Sequence, residues 1–162
     1  MLNSHKNIGI DIDDTLIGNG LNSQKLQKYI LDNYRTKNFY LITFRTGSWL
    51  DEVWQDIAYE NDLLDERFFK GLHGIPVEFR MEYQKYSWYS NQNFKLVDPE
   101  IEDRMNQLAP AAFNYLEWKG KKSHELGCSI LVDDMTDQVR RGCTKYNVKL
   151  IHPDQLTYDY NT

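Results

Sequence analysis

Aliphatic residues fall along this chain in short blocks, each ended by polar residues or glycine. The first, 7–12, carries Ile8, Ile10 and Ile12 and has the composition of a short buried strand. Gly18-Asn19-Gly20 marks a loop, and Asn22 or Ser23 can cap a helix to about Tyr34, with Leu26, Tyr29, Ile30 and Leu31 on one side. A second strand is expected over 39–43. A helix capped by Ser48 then runs from Trp49 to about Leu64, with Leu50, Val53, Trp54 and Ile57 at helical spacing. A third strand is read over 67–72, stopped by His73-Gly74-Ile75-Pro76. Beyond an irregular stretch, Asp98-Pro99 opens a helix through Met105 and Leu108, Ala109-Pro110 interrupts it, and a further helix runs from Ala111 to Trp118. Lys119 opens another, to Leu126, stopped by Gly127. A strand over 128–132, a helix from Thr136 or Asp137 to Tyr146, and a strand over 148–151 complete the order. Strands alternating with helices predict an α/β fold: a three-layer sandwich around a mostly parallel, Rossmann-like sheet with right-handed crossovers.

The irregular stretch breaks this rhythm. Residues 77–98 hold Phe79, Tyr83, Tyr86, Trp88, Tyr89 and Phe94, interleaved with Arg80, Lys85 and Lys95. The expectation is one domain over 1–162, with its core at about 1–76 and 112–157 and a small insertion or lid at about 77–111. Aromatics interleaved with cations can stack on bases. They can equally pack a lid onto the core or form a homodimer contact, and packing is the preferred reading.

The 162 residues suit one domain with a sizeable core. The formal net charge of −5 argues against broad nucleic-acid binding through the phosphate backbone, which favours a basic face, but leaves room for a nucleotide as a small substrate. Cys128 and Cys143 form no CxxC pair, and reduced thiols in a cytoplasmic protein are expected. No apolar run approaches the ~20 residues of a membrane span, and residues 1–9 carry no apolar signal core. His5, His73, His124 and His152 are scattered without ligand spacing and read as structural or surface residues.

The chemistry gathers where the strands end. The first finishes in Asp11, Asp13 and Asp14, followed by Thr15; the fourth finishes in Asp133-Asp134; the second ends in Thr43-Phe44-Arg45. Carboxylates at the end of a buried strand need partners, and a hard divalent cation with oxygen ligands, most often Mg²⁺, is the usual one. Ligands of open α/β sheets bind at the carboxyl ends of the strands. If these strands are neighbours, Asp11, Asp13, Thr43 and Asp133 meet at one edge, the set that aspartyl-phosphate chemistry needs.

These residues resemble the motifs of the haloacid dehalogenase superfamily of Mg²⁺-dependent phosphohydrolases. Its hydrophobic strand followed by Asp-x-Asp-x-Thr is matched by Asp11-Ile12-Asp13-Asp14-Thr15. Its Thr or Ser closing a second strand is matched by Leu41-Ile42-Thr43, its Lys at a helix start by Lys119, and its strand closed by two acids by Leu131-Val132-Asp133-Asp134. The four occur in the family's order. Position 14 is Asp where many members carry Gly, and Lys121 and Lys122 compete with Lys119. Lys119 is preferred for its place eight residues before Gly127, at the start of its helix.

The resemblance implies a role for each match. Asp11 attacks phosphorus and binds Mg²⁺ through its other oxygen. Asp13 protonates the leaving oxygen, then activates water, and lends its backbone carbonyl to the metal. Thr43 donates its hydroxyl to the phosphoryl group, with backbone amides of the following loop. Lys119 neutralises phosphoryl charge and holds Asp11, and Asp133 binds the metal. Asp134 acts through a water or holds the lysine. Asp14 is a turn-former or a more distant support, Asp137 more often caps its helix than touches metal, and Phe44 and Arg45 are placed near substrate, with a surface salt bridge at least as strong a reading for Arg45. The implied activity is phosphomonoester hydrolysis, on a nucleotide or a nucleic-acid end. The alternatives are a sugar-phosphate or metabolite phosphatase, a phosphotransferase, and a binding or regulatory protein that keeps the fold without turnover.

Overall fold

A computed structural model describes residues 1–91 and 99–158. Phe94, Lys95 and the Asp98 helix start lie outside those residues. The strands are β1 (Asn7–Ile10), β2 (Asn38–Thr43), β3 (Gly71–Gly74), β4 (Ile130–Val132) and β5 (Lys149–Ile151). They form one five-stranded sheet in the order β3-β2-β1-β4-β5, parallel throughout. The helices are α1 (Gly20–Asn33), α2 (Gly47–Asp51), α3 (Val53–Glu60), α4 (Val77–Ser90), α5 (Pro99–Glu125) and α6 (Thr136–Lys145).

Successive side chains of a strand point to opposite faces, and here each face has its own core. Ile8, Ile10, Phe39, Leu41, Ile130, Val132 and Ile151 pack with Leu26 and Ile30 of α1 and with Val53 and Ile57 of α3. Ile42 and Leu131 face the other way, packing with Tyr115 and Trp118 of α5, Val139 and Cys143 of α6, and Phe79 and Tyr83 of α4. The result is helix, sheet, helix. Gly9 has the second face of β1, where a Cβ would press on Ile42, Leu131 and the Ser123 hydroxyl, so its lack of a side chain lets α5 lie close over β1. A second close approach joins α5 to α6: a Cβ on Gly120 would overlap the Gly142 carbonyl, and one on Gly142 would meet the Glu117 backbone.

Several elements differ from the sequence expectation. The third strand is Gly71–Gly74 rather than 67–72, because Glu66–Phe68 makes a 3-10 turn capped by the Asp65 side chain. The helix expected over 49–64 breaks into α2 and α3 at Glu52, and α2 begins at Gly47, ahead of the expected Ser48 cap. Residues 77–90, read as irregular, form α4. The three helical segments expected between 98 and 126 are one helix of 27 residues with Pro110 inside. A mid-helix proline removes a backbone bond at a cost of about 3 kcal/mol, offset by the packing of α4 along α5 and by the burial of Ala112, Tyr115, Trp118, Lys119 and Ser123. Lys119 therefore lies deep in a helix, not at its start. The half of α5 before Pro110 buries no side chain. Among the described residues, no helix is long and apolar enough to cross a membrane.

Candidate functional site

Parallel pairing brings the two acidic strand ends together. Ile10 registers with Val132, the Asp11 amide still donates to the Val132 carbonyl at 2.9 Å, and the Asp133 amide donates to Ile151 at 3.1 Å. Asp11 and Asp133 are thus the next residues on neighbouring strands. Pleating turns both toward the α5 face, since each follows a residue buried on the other side. On α5, Ala112, Tyr115, Lys119 and Ser123 recur at helical spacing as the stripe facing the sheet. The Lys119 ammonium consequently meets Asp11 Oδ1 at 2.7 Å and Asp133 Oδ2 at 2.6 Å. Lys119 is 1% exposed and Asp133 0%. Lys121 is exposed and Lys122 half-buried, so Lys119 is the lysine that reaches the strand ends.

The remaining carboxylate oxygens are also held. Thr15 Oγ1 lies 3.1 Å from Asp11 Oδ2 and 3.2 Å from Asp134 Oδ1, and accepts the Asp134 amide at 3.1 Å. Asp133 Oδ1 accepts the Met135 amide at 2.9 Å. Burial, reinforced by the neighbouring Asp133, raises the Asp11 carboxyl well above the usual range, although Lys119 pulls the other way. Burial works against the Lys119 ammonium too, but the two carboxylates overcome it and raise its pKa. Asp11, Asp133 and Asp134 each offer a carboxylate oxygen, all within 4.8 Å of one another.

Asp13, two residues on, faces elsewhere. Arg45 grips it with two hydrogen bonds, Nε to Oδ2 at 2.9 Å and Nη2 to Oδ1 at 2.7 Å. Arg45 Nη1 also donates to Asp56 of α3 at 2.7 Å and to the Trp49 carbonyl at 3.1 Å. The Arg45 side chain is 3% exposed, whereas Asp13 is 39% and Asp56 38% exposed. Arg45 therefore forms a salt-bridge network, but with its own side chain buried rather than on the surface as expected, and with its two acids partly exposed. Thr43 is buried at the end of β2, and its Oγ1 accepts the Arg45 amide at 3.0 Å. Asp14 takes a left-handed backbone (φ 59°), which makes it a turn residue, and its carbonyl accepts from Asn19. Asp137 lies in the first turn of α6.

The chain between these groups is aromatic. Phe44, Tyr115 and Tyr83 form a column, with ring centres 4.4 and 4.1 Å apart and planes within 12° and 7° of parallel. The Lys119 ammonium stands 4.2 Å from the Phe44 ring centre. Burial pushes the Tyr115 hydroxyl up to about 12. Phe79 and Tyr83, partly buried, pack against the core, while Trp88 stays exposed on α4.

Sequence reasoning gave no role to Thr15, Asp56, Trp49 or Tyr115. The interval of four from Asp11 to Thr15 is a usable signal for one hydroxyl serving a strand-end acid. Asp56 and Trp49 offer none, since only the fold of the 44–57 segment brings them to Arg45. No protein-family model matches the chain, and a search of curated proteins finds no significant match.

Proposed function

We propose that this protein is a Mg²⁺-dependent phosphomonoesterase of the haloacid dehalogenase type, working through a phosphorylated Asp11. The observation that carries the reading is the buried Asp11–Lys119–Asp133 cluster at the carboxyl edge of neighbouring parallel strands. The three cluster residues come from sequence positions far apart, and an ammonium between two buried carboxylates is a costly arrangement for a merely structural purpose. Oxygen-only donors within 4.8 Å of one another suit a small hard cation, with Asp11, Asp133 and Asp134 as the residues to hold it. When bound, such an ion supplies charge neutralisation for an incoming phosphate.

The remaining chemistry belongs to the chain. Asp11, with one oxygen held by Lys119 and the other by Thr15, attacks phosphorus with a carboxylate kept oriented by both. Lys119, in contact with the site from α5, offsets charge on the phosphoryl oxygens. Asp13 exchanges a proton with the leaving oxygen and then with water. As positioned by Arg45 it accepts an N–H on each oxygen, so it gives up one of these bonds to act as proton donor. Thr43, buried at the end of β2, is the hydroxyl that donates to a phosphoryl oxygen.

Phosphate release with Mg²⁺ tests the reading, on nucleoside monophosphates, phosphorylated oligonucleotides, sugar phosphates and an aryl phosphate. Turnover should disappear in Asp11→Asn and with chelator. A wild type that binds Mg²⁺ yet releases no phosphate from any of them would favour a binding protein built on the same fold.

A further inference from the structure

Two arginines share one tryptophan at the mouth of the site. The guanidinium carbons of Arg45 and Arg80 both lie 5.1 Å from the Trp49 ring centre. Their charges are treated differently. Arg45 is buried and neutralised by Asp13 and Asp56. Arg80 has no carboxylate partner among the described residues. It spends one N–H on the Phe44 carbonyl, at 3.3 Å, and the other guanidinium donors are left for something else.

Arg80 also stands in the right place. It lies on the second turn of α4, which begins three residues after the end of β3, at the same sheet edge as the strand-end acids. Its anchor, the Phe44 carbonyl, belongs to the residue whose ring touches the Lys119 ammonium at 4.2 Å. Bond lengths along that path keep the guanidinium within about 15 Å of Lys119. The ring contact and the carbonyl bond order its side chain in advance, which lowers the entropy lost on gripping a ligand. The need is electrostatic: Asp13 and Asp56 share the single charge of Arg45, Asp134 adds a further carboxylate at the strand ends, and the chain has a net charge of −5. A substrate with more than one phosphate meets repulsion there unless a cation is kept free for it.

We propose that Arg80 is a specificity-determining residue that binds a second anionic group, so that the preferred substrate carries two phosphates, one cleaved at Asp11 and one held at Arg80. This rests on the phosphomonoesterase reading for the first phosphate. A nucleoside bisphosphate, a sugar bisphosphate and the phosphorylated end of a dinucleotide all present that chemistry, and the experiment separates them.

Phosphate release by wild type, Arg80→Gln and Arg80→Lys is compared on those three substrates and on an aryl phosphate with a single charged group. Arg80→Gln should lose about tenfold more kcat/KM on the best two-phosphate substrate than on the aryl phosphate, chiefly through KM. Arg80→Lys should recover part of the difference, and the difference should shrink as salt rises. Equal losses on all substrates would overturn the proposal, reducing Arg80 to a clamp on Trp49; so would no loss on any. A wild type that releases no phosphate at all overturns the phosphomonoesterase reading instead. Titration calorimetry of the bisphosphates in chelator then judges Arg80 by itself. Binding weakened about tenfold by Arg80→Gln supports the anion site, and unchanged or absent binding refutes it.

Discussion

Two ionic clusters occupy the same sheet edge, and they handle buried charge in opposite ways. On the α5 side, one ammonium serves two carboxylates, and all three groups are buried. On the α3 side, the arginine is buried but its carboxylates, Asp13 and Asp56, stay about two-fifths exposed. In the first cluster each charge depends on the others, because no solvent can replace a missing partner. In the second, water can fill in around either acid. The dry cluster is built to hold one geometry, while the wet one can let Asp13 move. Under the proposed function, that is the division of labour a nucleophile and a proton carrier need.

The largest test of this contrast is Lys119→Met. It leaves Asp11 and Asp133 facing each other without a cation and should cost about 3–5 kcal/mol of stability, read from urea unfolding. Asp11→Asn keeps the Lys119–Asp133 pair and relieves like-charge crowding, so it should change stability by less than about 1 kcal/mol. Similar costs for the two variants would mean that the cluster is not the closed ionic unit described.

Next in size is the clamp that holds Lys119 in place. Gly120 and Gly142 bring α5 and α6 into backbone contact one residue from Lys119. Gly120→Ala must push the helices apart and should cost about 1–3 kcal/mol. Cys143, next to Gly142, reports on this directly: it is free and buried, and burial pushes its thiol up to about 12. The native thiol should label slowly with maleimide, only as fast as the protein opens, and Gly120→Ala should speed labelling of Cys143 more than of Cys128. Equal acceleration at both thiols would indicate a global loss of stability rather than a lifted α6.

The dry cluster was far more legible than the wet one, and the reason is geometric. Strand-end carboxylates announce themselves as acids after an apolar run, and parallel β1 and β4 put Asp11 and Asp133 at matching positions. Lys119 could be read from its spacing with Ala112, Tyr115 and Ser123, a charge on the stripe that faces the sheet. The argument from a helix start selected the same lysine although no helix starts there, because Pro110 does not end α5. A salt bridge was readable for Arg45, but its partners and its burial were not. Its two acids come from separate loops and helices, and hydrophobic periodicity says nothing of which polar side chains meet. α4 was missed for a related reason. Its aromatics are spread around the helix, and none of its residues is buried, so the pattern lacks a stripe.

Arg45→Met tests the wet cluster. Asp13 and Asp56 can be rehydrated, so the stability cost should be smaller than for Lys119→Met, about 1–2 kcal/mol. Turnover should nevertheless fall, because Asp13 loses the two bonds that aim it. A cost matching that of Lys119→Met would erase the distinction between the clusters.

The smallest effect lies outside both clusters, on the surface where α5 meets α6. Glu117 accepts Arg141 Nε and Lys145 Nζ, each at 2.9 Å, and the Lys145 bond leads in lowering its pKa below the ordinary glutamate value. A carboxylate bound more tightly in the folded state contributes stability above its unfolded pKa and loses it as pH falls through the lower, folded value. The Arg141 and Lys145 side chains are more than half exposed, so screening limits the contribution to about 1 kcal/mol or less. Wild type should therefore exceed Glu117→Gln slightly in urea midpoint at neutral pH, and the gap should close on acidification below about pH 4, the ordinary glutamate range. A gap that persists in acid would show that Glu117 acts by packing beside Gly120 rather than by charge, and would move this pair from the electrostatics of the surface to the mechanics of the clamp.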